Sequence, residues 1–133
     1  MNGTSLTSQP IHLGLGASAE VEPVFTGDME WYGGYSQRHE SDGREGRLVS
    51  MHAFSKSWDM WEMHPVGSEV VLCTAGSMTL YQEMAGGEVV KVQLEPGQYA
   101  INPAGVWHTA DVHGAATALF ITAGLQTQHR PRG

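Results

Sequence analysis

The chain has one cysteine, Cys73, and only seven lysines and arginines against fourteen acidic residues, for a formal net charge of −7. A lone cysteine excludes an internal disulfide, so the fold must be held by its core, and it fits a reducing compartment. Arg38, Arg44 and Arg47 share one polar stretch, but no cluster of basic side chains is available to neutralise a run of phosphates. Nucleic acid is therefore excluded as a partner. No apolar run approaches the roughly 18–20 residues that a spanning helix needs, so no membrane partner is expected. The opening MNGTSLTSQP has neither a basic n-region nor an apolar h-region, which makes the cytoplasm the expected location. Walker, dinucleotide-binding, nucleophile-elbow and C-x-x-C templates are all missing. No segment shows the 3.6-residue period of a convincing amphipathic helix.

What remains is a period of two. The 133 residues are expected to form one domain. Residues 1–20 read as a loose arm with one edge strand near Ile11–Leu15, and residues 26–47 as irregular chain around one short strand. From Leu48 onward the pattern is that of strands. Leu48–Phe54, Glu69–Cys73, Ser77–Gln82, Val89–Leu94, Tyr99–Ile101, Val106–Val112 and Ala116–Ala123 are separated by turn signals at Ala75-Gly76, Gly86-Gly87, Pro96-Gly97 and Pro103–Gly105. Short strands at about 8–12-residue spacing give an all-β sandwich or barrel.

The chemistry concentrates in Trp61–Glu69, WEMHPVGSE. Glu62 and His64, two apart on a strand, leave the same face. Pro65–Ser68 then turns the chain and Glu69 opens the next strand. Taken singly, each is more readily an ordinary surface or turn residue. Aimed together into a barrel, they need a shared partner to offset desolvation, and a divalent cation accepts imidazole nitrogen and carboxylate oxygen alike. A second segment, Pro103–His108 (PAGVWH), puts His108 and Trp107 on opposite faces of a strand that follows a tight turn.

Together the two segments resemble the paired motifs of small single-domain cupins, G-x5-H-x-H-x3–4-E-x6-G and G-x5-P-x-G-x2-H-x3-N. Glu62-x-His64-x4-Glu69-x6-Gly76 overlays the first, and Gly97-x5-Pro103-x-Gly105-x2-His108 the second. The likeness spans about residues 48–123. It implies a double-stranded β-helix, that is, a jelly-roll β-barrel. It also implies a divalent metal (Fe, Mn, Ni or Zn) on His64, Glu69 and His108, with Glu62 in the first ligand slot. A small organic molecule would be bound in the barrel, either for oxygenase, isomerase or lyase chemistry or without turnover, and the chain would form a homodimer.

Two positions depart from the pattern: Glu62 replaces a histidine and Val112 the closing asparagine. Glu62 is then a ligand, a general base standing back from the metal, or the sign of an altered site that holds no metal. His52, Trp58, Trp61, Cys73 and Trp107 are candidate pocket-lining residues, with core or interface packing as the alternative. His12 has no company, His39 reads as a solvated loop residue, and His129 lies in a tail that the resemblance places near the barrel mouth.

Overall fold

Strand β5 (Glu69–Glu83) carries two phases of alternation. Glu69, Val71 and Cys73 are buried in its first half, whereas Met78, Leu80 and Gln82 are buried in its second. A strict period of two cannot do this, because odd and even positions face opposite sides. Register shifts against β8 (Trp107–Thr122), between Cys73 and Ala75 and between Gly76 and Met78, change the phase. What reads in the sequence as a turn at Ala75-Gly76 is thus an irregularity within one long strand, and Val106–Val112 and Ala116–Ala123 likewise fuse into β8.

The computed structural model describes residues 2–133. The remaining elements are β1 (Ile11–Gly14), β2 (Ser18–Val21), α1 (Met29–Arg38), β3 (Arg47–Phe54), β4 (Met60–Met63), β6 (Val89–Leu94), β7 (Tyr99–Asn102) and β9 (Gln128–Pro131). All pairings are antiparallel. The order β2-β1-β3-β8-β4-β9 forms one path, and β5 joins β8, β6 and β7. The long strands serve two neighbourhoods each: Glu62 of β4 and Gln82 of β5 both pair with His108, while Phe120 of β8 faces Ser50 and Val71. The core contains Val71, Cys73, Met78, Leu80, Leu94 and Phe120.

Several expectations are corrected. The edge strand expected near Ile11–Leu15 is β1, but the arm around it is not loose: Ile11 and His12 pair with Val49 and Leu48, and β2 folds back on β1. Between Val21 and Arg47 there is no strand but a helix, α1, followed by a 3-10 segment at Glu40–Glu45. Asp28 caps α1 by accepting from the Trp31 N–H. Buried Trp31 donates its indole N–H to the Pro23 carbonyl and packs edge-on against Phe25. Gly33 and Gly34 dilute the helical period, so packing rather than propensity holds the turns.

Nor is His12 alone, or His39 solvated. Their rings stack at 3.6 Å. His12 contacts Tyr35 Oη at 2.7 Å and Asp42 at 2.5 Å, and His39 contacts buried Glu22 at 2.9 Å. This network ties α1 and the 3-10 segment to β1 and to the residue after β2.

Gly76 has φ of 71°, and a Cβ there would lie 2.0 Å from the Ala115 carbonyl oxygen. Gly97, at φ of 87°, has open space around it. Gly76→Ala is expected to cost about 3 kcal/mol from clash plus backbone strain, and Gly97→Ala only about 1–2 kcal/mol from strain. Urea denaturation of the two variants checks the order.

Candidate metal centre

The site is assembled where β4, β5 and β8 meet. On β4, Glu62 pairs with His108 of β8 on one side and with His129 of β9 on the other. The Gly105 N–H donates to the His64 carbonyl at 3.0 Å, fastening the turn of the second segment onto the first. Glu69 follows the Pro65–Ser68 connection and opens β5. The four candidate ligands of the sequence are thereby brought together: one donor atom from each of Glu62, His64, Glu69 and His108 lies within 4.8 Å of all the others. His64, Glu69 and His108 are buried, whereas the Glu62 side chain is 31% exposed.

The contacts inside this cluster are short. His64 Nε2 lies 2.8 Å from Glu62 Oε1 and 3.2 Å from Glu69 Oε2, and His108 Nε2 lies 3.1 Å from Glu69 Oε1. Yet neither Nε2 atom has an aligned hydrogen-bond partner among the described residues. Buried polar atoms are rarely left so. Four donor groups converge around two Nε2 atoms without aligned hydrogen bonds, an arrangement that a cation between them would satisfy.

The surrounding bonds set the ring tautomers. The Thr127 hydroxyl donates to the Gly124 carbonyl at 2.8 Å, which leaves its lone pair to accept from His64 Nδ1–H at 2.8 Å. His108 Nδ1–H donates to the Val106 carbonyl at 3.3 Å. Each neutral ring then presents its Nε2 lone pair to the cluster. Glu69 is fixed on both oxygens: Thr122 donates to Oε2 at 2.7 Å and the Asn102 amide to Oε1 at 3.1 Å. Gln82 in turn donates to the Asn102 side-chain oxygen at 2.9 Å. His129 Nε2 lies 3.1 Å from Glu62 Oε2.

Electrostatics follow from this crowding. Burial works against the Glu69 charge, but the His108 and His64 imidazoles outweigh it and hold the carboxyl well below its usual range. Glu62 is lowered too, with burial opposing and the His64 contact prevailing. In the metal-free cluster, burial disfavours charged His64, but the two carboxylates push its pKa up to about 9. Tyr32 of α1 is raised by burial and then by the charges of Glu62 and Glu69, which places its phenol within electrostatic reach of the site.

Neither His52 nor Cys73 joins the four donors. Trp61 and Trp107 leave the opposite faces of their strands and stack on Arg130, whose guanidinium lies 5.2 and 4.5 Å from their ring centres. Both clamp the Arg130 guanidinium. Trp58 packs on Phe54 and Phe120. Cys73 is core, four residues along β5 from Glu69, or ~13 Å at strand rise. His52 is ringed by Phe25, Phe54 and Phe120, and burial lowers its pKa. Conversely, Thr127, Asn102, Gln82 and Thr122, which bond to the donors or to their partners, were not legible as site residues. The only available signal was the two-residue step Thr127-x-His129.

A scan against protein-family models finds no match, and neither does a search of curated proteins. Solved structures do match by shape. Recombinant oxalate oxidase in complex with glycolate superposes with a TM-score of 0.55 at 13% identity, over 62% of this chain and 45% of that one. Oxalate decarboxylase gives 0.56 at 13% identity, over 73% of this chain and 26% of that one. The chain has the cupin fold. A cupin-2 domain-containing protein from Shewanella frigidimarina NCIMB 400 also matches, with a TM-score of 0.49 at 16% identity, over 57% of this chain and 69% of that one. The match spans 44–46% of the length of the oxalate oxidase structures. At these identities the likeness carries the barrel and not those enzymes' chemistry.

In this cupin barrel the metal-free cluster gives a pH signature. His64, raised from 6.5 to about 9, contributes stability that is complete below pH 6.5 and lost as pH rises through about 9. Glu69, lowered, contributes stability present above its ordinary 4.5 and lost on acidification. The urea midpoint of chelator-treated protein is expected to fall between pH 6.5 and 9. His64→Gln is expected to flatten that slope, and an equal slope in both proteins contradicts the ion pair.

Proposed function

We propose that the chain binds one divalent transition-metal ion through Glu62, His64, Glu69 and His108. We further propose that it binds and transforms a small oxygen-bearing organic molecule inside the barrel. The observation that carries this is the pair of buried Nε2 atoms on His64 and His108, both lacking hydrogen-bond partners and both beside carboxylates. Two imidazoles and two carboxylates form a neutral complex with a dication, and this relatively hard donor set favours Mn²⁺, Fe²⁺, Ni²⁺ or Zn²⁺.

When bound, such an ion supplies Lewis-acid or redox chemistry to an oxygen donor. The chain's own contributions are separable. Thr127 and the Val106 carbonyl keep the two imidazoles in the ligating tautomer, and Thr122 and Asn102 orient Glu69. Glu62 is the most exposed of the four and meets His129 on its outer oxygen. It is the residue suited to accepting a proton from substrate at Oε2 as a general base. Phe54, Trp58 and Phe120 pack against one another at the core.

Oxygenase, isomerase and lyase chemistry are the reaction classes proposed. The two matched enzymes are named for oxalate, and a small oxygen-donor molecule is the broader class we assign to this chain. We place the chain in the cytoplasm as a homodimer, for which exposed Tyr99 and Ile101 on β7 offer an apolar contact.

A second reading has an observation of its own. The raised proton affinity of His64 allows an imidazolium between two carboxylates to balance the cluster with no ion, leaving a non-catalytic ligand-binding barrel. Metal titration separates the two. Mn²⁺, Fe²⁺, Ni²⁺ or Zn²⁺ at about a hundred times its Kd is expected to add roughly 2.7 kcal/mol of stability, an effect abolished by His108→Ala. If none of these ions stabilises the wild type, the metal proposal fails. Glu62→Gln decides between the roles of that residue. Affinity weakened at least about tenfold marks a ligand, whereas retained affinity with lost turnover marks a base.

A further inference from the structure

Two of the four donor residues are held by one short piece of chain at the C-terminus. Thr127 accepts from His64 Nδ1, and His129 contacts Glu62 Oε2. Both belong to the segment 124–132, whose strand β9 pairs with β4 alone, in the register Met60↔Pro131, Trp61↔Arg130, Glu62↔His129 and Met63↔Gln128.

The segment brings no core of its own. Each of its residues is exposed or only half-buried. It is fixed instead at two places away from the donors. The Arg130 guanidinium sits against Trp61 and Trp107 and pairs with Glu83 of β5. Arg132 donates to the Trp58 carbonyl at 2.8 Å and to Asp111 at 2.9 Å, and its own N–H donates to the Asp59 carbonyl at 3.2 Å. A strand held by polar contacts at its margin belongs to the low-stability end of a fold and opens locally.

We infer that the segment 124–132 is a clasp whose docking is coupled to cation binding, with Thr127 and His129 as positioning residues for His64 and Glu62. The inference rests on the metal reading given above. With the clasp docked, His64 is confined to the tautomer and ring orientation that present Nε2, and Glu62 is restrained on its outer oxygen. With the clasp open, Nδ1–H of His64 loses its acceptor and the ordering of both ligands must be supplied by the ion. An ion that fixes His64 and Glu62 therefore favours the docked strand, and the docked strand favours the ion by the same factor. Loss of the last ten or so residues, by proteolysis for example, becomes a route to metal release.

The test uses the full chain with Zn²⁺ or Mn²⁺ alone as probe. Calorimetric titration is combined with amide hydrogen exchange of residues 128–132 against β6 as an internal control. Metal is expected to slow exchange in 128–132 by about tenfold or more and to leave β6 unchanged. Thr127→Val is expected to weaken metal binding by about tenfold, the size typical of lost support to a ligating histidine, with Thr127→Ser close to wild type. Arg130→Ala touches none of the four donors, yet is expected to weaken metal binding and to abolish the tenfold slowing.

The inference is overturned if wild-type protein binds metal while exchange in 128–132 is unchanged. It is equally overturned if Thr127→Val and Arg130→Ala bind as tightly as wild type. If neither ion binds the wild type, the metal reading and this coupling fall together.

Discussion

The structure turns on a single costly placement: the Glu69 carboxylate, 3% exposed, at the inner end of a β-barrel strand. An unpaired carboxylate there would be far too expensive to ionise. Its neighbourhood answers with hydrogen bonds from Thr122 and Asn102 and with two imidazoles within 3.2 Å. Those partners come from β8, from the end of β7 and from the connection after β4. Satisfying one buried charge thus fixes how four parts of the chain meet. Gln82 extends the same chain of bonds by orienting Asn102, and it can do so because the β5 irregularity returns the second half of that strand to the correct face.

The barrel and the four donors were legible because they depend on short-range rules. The i, i+2 relation of Glu62 and His64, the turn at Pro65–Ser68 and the turn before His108 each follow from local geometry. Their recurrence in family order makes the pairing specific. Helix α1 was not legible, since Gly33 and Gly34 weaken its period and Trp31 stabilises it through contacts with Phe25 and the Pro23 carbonyl. The His12–His39 stack depends on a hairpin and a 3-10 segment meeting across about 27 residues, which no local pattern encodes. The tryptophans follow a plainer rule. Proximity in sequence to a ligand puts Trp61 and Trp107 on the opposite strand face from it.

The substitution of Glu62 for the histidine of the motif gains meaning from its neighbours. Glu62 brings a second carboxylate to the cluster, and the opposing position on β9 is occupied by His129. The imidazole missing from the first motif is thus matched by one outside the cluster, at a position the usual spacing does not cover. The pairing makes the C-terminal strand part of the site's architecture rather than an appendage. It also explains why the strand needs clamps on its outer side: the Trp61–Arg130–Trp107 stack faces away from the donors and anchors the chain next to Glu62.

The central claim is that these four side chains converge on one cation, and X-ray absorption at the zinc edge of Zn²⁺-loaded protein addresses it most directly. The account predicts two imidazole nitrogens at about 2.0–2.1 Å and carboxylate oxygens at about 2.0–2.2 Å. A spectrum with no imidazole contribution, or with sulfur at about 2.3 Å from Cys73, would contradict it.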